Sequence, residues 1–241
     1  MKKFLYVLLI LSTVACSSTP KEEPPVETAE ILYNQAYNYL EQTKYKKASE
    51  TFEKVELEYP YSKWATSAKI MSAYSYYLDE KYDDAIISLD RFLKFHPANI
   101  EAPYAYYLKA MCYYDQIQNV EKEQGNTKNA LLGFQELIAR FPNSKYTQDA
   151  KKKIILARDN IAGQEMEIGR YYLRQENYLA AVNRFSNVVK LYQTTNFIEE
   201  ALYRQVEVYT ILGLPQEASK SRQVLARNYP ESKWSKKANN L

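Results

Sequence analysis

Residues 76–97, YYLDEKYDDAIISLDRFLKFHP, decide the fold, because their order of residue types returns along the chain. Within them Ala85 stands nine residues after Tyr76, three after Tyr82, four before Leu89 and twelve before Pro97. Ala48, Ala130, Ala181 and Ala218 keep much of the same company. Tyr45 and Tyr178 lie three residues before Ala48 and Ala181, and Phe52, Phe134 and Phe185 lie four residues after Ala48, Ala130 and Ala181. Pro60, Pro142 and Pro230 follow twelve residues after their alanines, and Tyr39, Tyr172 and Tyr209 precede theirs by nine. The alanines are spaced by 37, 45, 51 and 37 residues, so one unit is copied five times, with insertions in the third and fourth.

A unit of this kind is a helix–turn–helix pair that buries its apolar face only by stacking on copies of itself. Residues three and four apart share a helical face, which puts Ala85, Leu89 and Phe92, or Ala181, Phe185 and Val188, on one packing stripe. The small alanine lets two helix backbones approach, where a larger side chain would overpack at a cost of roughly 1–3 kcal/mol. The proline ends the second helix, having no N–H to donate and pushing its predecessor out of the helical region. A Tyr late in the first helix, then Ala, a large apolar residue and a closing Pro is the tetratricopeptide pattern. The expected fold is therefore all-α: a superhelical solenoid of about five helix pairs, in units of about 29–63, 64–100, 101–144, 145–196 and 197–230, with an end cap at 231–241.

The insertions differ in character. In the third unit the polar stretch from Asp115 to Thr127, which contains Gly125, predicts a widened loop between the two helices. In the fourth, TQDAKKKIILARDNIAGQEMEIGRYYL (147–173) has no proline and predicts one long helix from about 146 to 175. The fifth unit is degenerate, with Arg222 where a Phe and Pro215 where a Tyr would stand, and SKWSKKANNL (232–241) suits an end cap.

Lys2 and Lys3, an apolar run from Phe4 to Ala15, and then Cys16 open the chain. That run is too short for a bilayer-spanning helix, which needs about 20 residues, and predicts a secretory signal peptide over 1–15. LSTVAC resembles a bacterial lipoprotein cleavage site, with Thr13 where Leu is usual. Cys16 would then become the first mature residue, carrying an N-acyl chain and an S-diacylglycerol. SSTPKEEPPVET predicts a disordered tether over 16–28. Ser17, rather than Asp, after the cysteine points by analogy with enterobacterial sorting to the outer membrane, facing the periplasm.

The formal net charge of +3 drops to about +1 without the signal lysines, and no basic patch calls for nucleic acid. The segment from Glu217 onward is richer in Lys and Arg, which suits either a solvated cap or an acidic or phospholipid partner. Catalytic chemistry is sparse. The one histidine, His96, sits in a turn beside Pro97, and a lone His without a second His or Cys nearby builds no zinc site. Cys112 lies among apolar neighbours, and five glycines form no phosphate-binding loop. Tyrosine is abundant, at 24 residues, and makes adaptable contacts at low entropic cost. The inventory favours a binding surface over an active site, with no metal and no cofactor beyond the lipid.

The signal with its lipoprotein cysteine, the Pro-rich tether and the five units with a wide third and long fourth together resemble the BamD (YfiO/ComL) family of outer-membrane β-barrel assembly lipoproteins. DRFLKFHPANI (90–100), FPNSKYTQDAKKKIILARDNIAG (141–163) and YYLRQENYLAAVNRF (171–185) carry the resemblance most specifically. It implies a non-enzymatic scaffold lipoprotein whose partners are the periplasmic domains of the barrel subunit BamA, unfolded outer-membrane precursors and other Bam lipoproteins. It also implies that Arg184 contacts an acidic residue of BamA, and that a precursor lies in the N-terminal concave groove near Tyr74, Tyr77, Tyr104 and Tyr107. The alternative reading is another tetratricopeptide lipoprotein, such as a pilotin for type IV pilus secretins.

Overall fold

The computed structural model describes residues 27–241. The signal peptide (1–15), Cys16 and most of the expected tether lie outside those residues. Glu27 and Thr28, at the tether's end, already belong to the folded unit. The Thr28 hydroxyl accepts from the Ile31 N–H and caps the first helix, while the Tyr59 hydroxyl donates to the Glu27 carbonyl.

Among the described residues ten helices form five antiparallel pairs: α1 (Ala29–Glu41) with α2 (Tyr45–Glu58), α3 (Lys63–Leu78) with α4 (Tyr82–Phe95), α5 (Ala102–Tyr114) with α6 (Gly125–Arg140), α7 (Thr147–Arg174) with α8 (Tyr178–Leu191), and α9 (Ile198–Ile211) with α10 (Pro215–Asn228). A short α11 (Lys233–Ala238) closes the stack. Each helix packs on the next, and α1 also touches α3 and α3 touches α5, whereas successive second helices make no comparable contact. The first helices therefore line the short, concave side of an all-α superhelical solenoid.

All five repeat alanines lie in second helices, Ala48, Ala85, Ala130 and Ala181 with no exposed surface and Ala218 nearly so. Phe52, Leu89, Phe134 and Phe185, one turn further, are completely buried, each burial contributing on the order of 2 kcal/mol. Pro60, Pro97, Pro142 and Pro230 each follow the residue that caps a second helix. In α8, which has no such proline, the C-cap Tyr192 sits in the same way.

The turn from first to second helix has one geometry in four units. Thr43, Glu80, Glu176 and Gly213 take φ of 57°, 58°, 58° and 68°. The next residue (Lys44, Lys81, Asn177, Leu214) donates its N–H to the carbonyl of Tyr39, Tyr76, Tyr172 or Tyr209 at 2.9 Å in every case. The left-handed residue itself donates to Leu40, Tyr77, Leu173 or Thr210 at 2.9–3.1 Å. These paired bonds satisfy carbonyls that a helix end leaves unpaired.

The third unit departs from this turn, as its insertion predicts: residues 115–124 form a loop, although Gly125 begins α6 and does not belong to that loop. The loop is organised by buried Gln124. Its amide donates to the Asn119 and Lys122 carbonyls at 3.2 and 3.1 Å, and it accepts from the Thr127 hydroxyl at 2.6 Å. The loop docks on α7 through Gln164, which donates to the Lys122 carbonyl at 2.7 Å. The long helix α7 runs unbroken for 28 residues, about 42 Å at about 1.5 Å per residue. Its two glycines admit neighbours: Val120 and Phe197 crowd Gly163, and the Phe185 ring lies against Gly169.

At the far end, Trp234 packs on Tyr203 with tilted rings at 5.1 Å, as Trp64 packs on Tyr33 at 4.8 Å. The SKW stretches of residues 62–64 and 232–234 thus start equivalent helices, and α11 occupies the place of a sixth first helix. Arg222, which stands where a Phe would be expected, donates to the Ala238 carbonyl at 3.0 Å and ties the cap down.

Candidate functional site

Helices α3 and α5 each bear two tyrosines three residues apart, a spacing that sets both rings on one helical face. Tyr74 and Tyr77 lie near-parallel at 6.4 Å, and Tyr74 meets Tyr104 of the next unit at 6.4 Å. Tyr146, at the start of α7, joins Tyr104 at 5.4 Å and stacks on Tyr107 at 5.0 Å. Tyr82 adds an edge contact to Tyr77 at 5.9 Å. The four tyrosines singled out from the sequence are therefore brought into one half-buried array on the concave side. Tyr146 and Tyr82, which complete it, were not singled out. The signal for Tyr146 was present, since FPNSKY (141–146) repeats YPYSKW (59–64) and sets Tyr146 in the place of Trp64.

Two carboxylates hold the array. The Tyr77 hydroxyl donates to Asp115 at 2.5 Å and the Tyr107 hydroxyl to Asp149 at 2.6 Å. Burial first, and then these carboxylates, push both phenols well above the ordinary tyrosine range. Burial does the same for Tyr104. Neutral rings with anchored hydroxyls present apolar faces at low ordering cost, which suits stacking against apolar or aromatic side chains of an extended segment.

The apolar character continues along the first helices. Lys153 lies over the Tyr114 ring at 4.4 Å. Beyond it Tyr114, Ile117, Val120, Leu156 and Phe197 line an open groove between the third unit's loop, α7 and the start of α9. Further on, the surface turns ionic. Arg170 of α7 bridges Glu167 and Glu200 at 2.7 and 3.0 Å, and Arg204 of α9 pairs with Glu200 and Glu207 at 3.4 and 2.7 Å.

Arg184 lies on α8, apart from the tyrosine array, with its side chain 38% exposed. One of its nitrogens, Nη1, donates to both oxygens of Glu165 at 3.3 and 3.4 Å, and Asn187 donates to the same carboxylate at 3.0 Å. This is an intrachain pair, made side-on by a single nitrogen. The remaining edge of the guanidinium, Nε and Nη2, finds no acceptor among the described residues.

The groups that could carry catalysis are placed otherwise. His96 packs against Phe92 at 5.4 Å beyond the end of α4. The Cys112 thiol is fully buried, and burial pushes its pKa to about 12, which keeps it a neutral packing group. Among the described residues no cluster of three or more His, Cys, Asp or Glu could hold a metal ion. Nor is any of these helices long and apolar enough to cross a membrane.

Comparison with known proteins matches residues 25–225 to the family model YfiO, described as an outer membrane lipoprotein. An outer membrane protein assembly factor BamD from Rickettsia prowazekii is 44% identical, the alignment covering 96% of this chain and 93% of that protein. One of the same name from Caulobacter vibrioides is 39% identical, covering 95% of this chain and 76% of that protein. Among solved structures, Pseudomonas aeruginosa pilF overlaps it with a TM-score of 0.38 at 12% identity, covering 88% of this chain and 82% of that one.

Proposed function

The chain belongs to the YfiO family of outer membrane lipoproteins, and from that premise we propose that it is a non-catalytic scaffold for assembling β-barrel proteins into the outer membrane. Relatives matched over three quarters or more of their length carry the name of an assembly factor, which supports this role over that of a secretin pilotin. In this reading Cys16 carries the lipid anchor and the solenoid faces the periplasm. The tyrosine array on α3, α5 and the start of α7 takes up extended segments of unfolded barrel precursors. Such segments alternate apolar and polar residues, and their aromatic side chains can stack on rings whose hydroxyls are already held by Asp115 and Asp149.

The second half of the solenoid binds BamA. Arg184 keeps one edge of its guanidinium unpaired, and a partner carboxylate there would complete the two-pronged geometry that Glu165 does not supply. Other Bam lipoproteins complete the assembly.

The observation that carries the proposal is the continuous tyrosine array. The test replaces Tyr104 by a photoreactive phenylalanine in the full-length chain, in its own envelope, with Lys190 on the opposite side as the control site. Irradiation is expected to give adducts with newly made barrel precursors at 104 and not at 190. Equal labelling at both sites, or adducts lacking barrel precursors, would refute it.

A further inference from the structure

The loops that join one unit to the next all lie on one edge of the solenoid, where second helices end and first helices begin. In the first two units this edge is apolar and uncovered. Leu57 is 82% exposed and Ile100 90%, Tyr61 is fully exposed, and Phe95 is 63% exposed. Behind Leu57 and Pro60 an open groove between α2 and α4 is lined by charged side chains, Glu50, Glu53, Lys54, Glu56 and Arg91, so the apolar stretch is confined to the loop tips and helix ends. Beyond the second unit the edge keeps Leu191 exposed, but its loop tips carry exposed Asn143, Thr194 and Glu231.

The apolar stretch coincides with the place where the chain leaves the fold toward its N-terminus. Glu27 is held on this same edge by the Tyr59 hydroxyl and by Lys54, whose Nζ lies 3.1 Å from the Glu27 carboxylate. Eleven peptide steps separate Glu27 from Cys16, so the two cannot be more than about 40 Å apart. If Cys16 carries the acyl anchor, the tether leaves the fold from the edge bearing Tyr61 and Ile100, which biases that edge toward the bilayer. Its charges suit that position. Glu58 and Glu56 face Lys54 and Lys69. Lys63 and Lys94 form no salt bridge among the described residues and lie over Trp64 and Phe95 at 5.1 and 5.7 Å. Long basic side chains beside aromatic rings can reach headgroup phosphates while apolar neighbours enter the acyl boundary.

We propose that this edge docks on the lipid surface of the membrane, with Leu57, Tyr61, Phe95 and Ile100 seated at the headgroup–acyl boundary. The turns at Thr43 and Glu80, on the opposite edge, would then point away from the bilayer, and the concave tyrosine array would stand upright beside it. This orientation rests on the lipid anchor at Cys16.

The test uses the full-length acylated protein in vesicles of phosphatidylethanolamine and phosphatidylglycerol. A bimane probe is placed singly by Tyr61→Cys, Ile100→Cys and Glu80→Cys, and fully buried Cys112 stays unlabelled. Lipids brominated near the carboxyl end of their acyl chains should quench the probes at 61 and 100 at least twofold more than the probe at 80. Flotation with the vesicles but equal or absent quenching at the three sites would overturn the docking and leave the anchor standing. Shielding of position 100 only when a protein partner is added would assign the edge to that partner and also overturn it. Failure of the acylated chain to float would remove the anchor, and the orientation with it.

Discussion

Gly169→Ala tests how α7 and α8 are seated, because two opposing effects can be weighed at that position. In an exposed helix interior, Ala in place of Gly stabilises by about 1 kcal/mol. Here a Cβ would stand 2.5 Å from Phe185 Cε1, 2.9 Å from Cδ1 and 3.0 Å from Cζ, so three atoms of one rigid ring lie too close. Restoring ordinary contact moves the ring by about 1 Å, in a close-packed interior that yields little. The ring has no exposed surface and is enclosed by Ala162, Met166, Ala181, Val182 and Val188. With three ring atoms too close, overpacking falls in the upper part of its usual range of roughly 1–3 kcal/mol, at about 2–3 kcal/mol, and outweighs the propensity gain of about 1 kcal/mol. A net loss of about 1–2 kcal/mol is expected, lowering the thermal midpoint by roughly 2–8 °C for a domain of this size. Circular dichroism melts of the full chain read the midpoint, and Phe185→Leu on top of Gly169→Ala should recover part of the loss through coupling of the two sites. A midpoint unchanged or raised in Gly169→Ala would mean that Phe185 does not rest on Gly169 and that α7 meets α8 in another register.

Glu176→Gly should stabilise by about 1 kcal/mol, because a residue with a Cβ at φ 58° bears a left-handed strain that glycine lacks; a lower midpoint would contradict the turn geometry. Tyr76 has its pKa pushed up to about 12, by burial and then by the Glu53 carboxylate at 2.9 Å, and burial raises Tyr77, Tyr104 and Tyr107 too. Their contribution is full below the unfolded tyrosine value near 10 and is lost as pH rises from there toward 12, so urea midpoints should fall across that window; a flat profile would show the phenols to be solvated. Cys112 should resist a thiol reagent at pH 8 in the native protein and react on unfolding, and rapid native labelling would place it at the surface.

Much of the architecture was legible because it is periodic. Ala48 and its four counterparts, the Phe or Leu one turn later and the closing prolines mark second helices that all pack alike, and repetition of the spacing removes chance as an explanation. The absence of proline between residues 147 and 173 made α7 readable as one helix, since its glycines cost propensity but break no hydrogen bond. The left-handed turns were less visible, because among the four units that make them glycine marks the position only at 213, Thr43, Glu80 and Glu176 standing there in the other three, while Gly125 at the same place in the third unit starts α6 instead.

The tyrosine array was half legible. Tyr74, Tyr77, Tyr104 and Tyr107 follow helical spacing, whereas Tyr146 could be found only through the echo of YPYSKW in FPNSKY, which sets its ring against the preceding first helix as Trp64 is set against α1. The Glu165 carboxylate that Arg184 meets could not be read from sequence, since the pairing depends on how α7 and α8 cross.

The most direct test of the scaffold account is a mild-detergent pull-down of the full-length lipoprotein from its own envelope, with partners identified by mass and Arg184→Glu run in parallel. The account predicts recovery of a large barrel protein with repeated periplasmic domains, and its depletion in the Arg184→Glu sample. Recovery of a secretin in its place, or of no barrel protein at all, would contradict it.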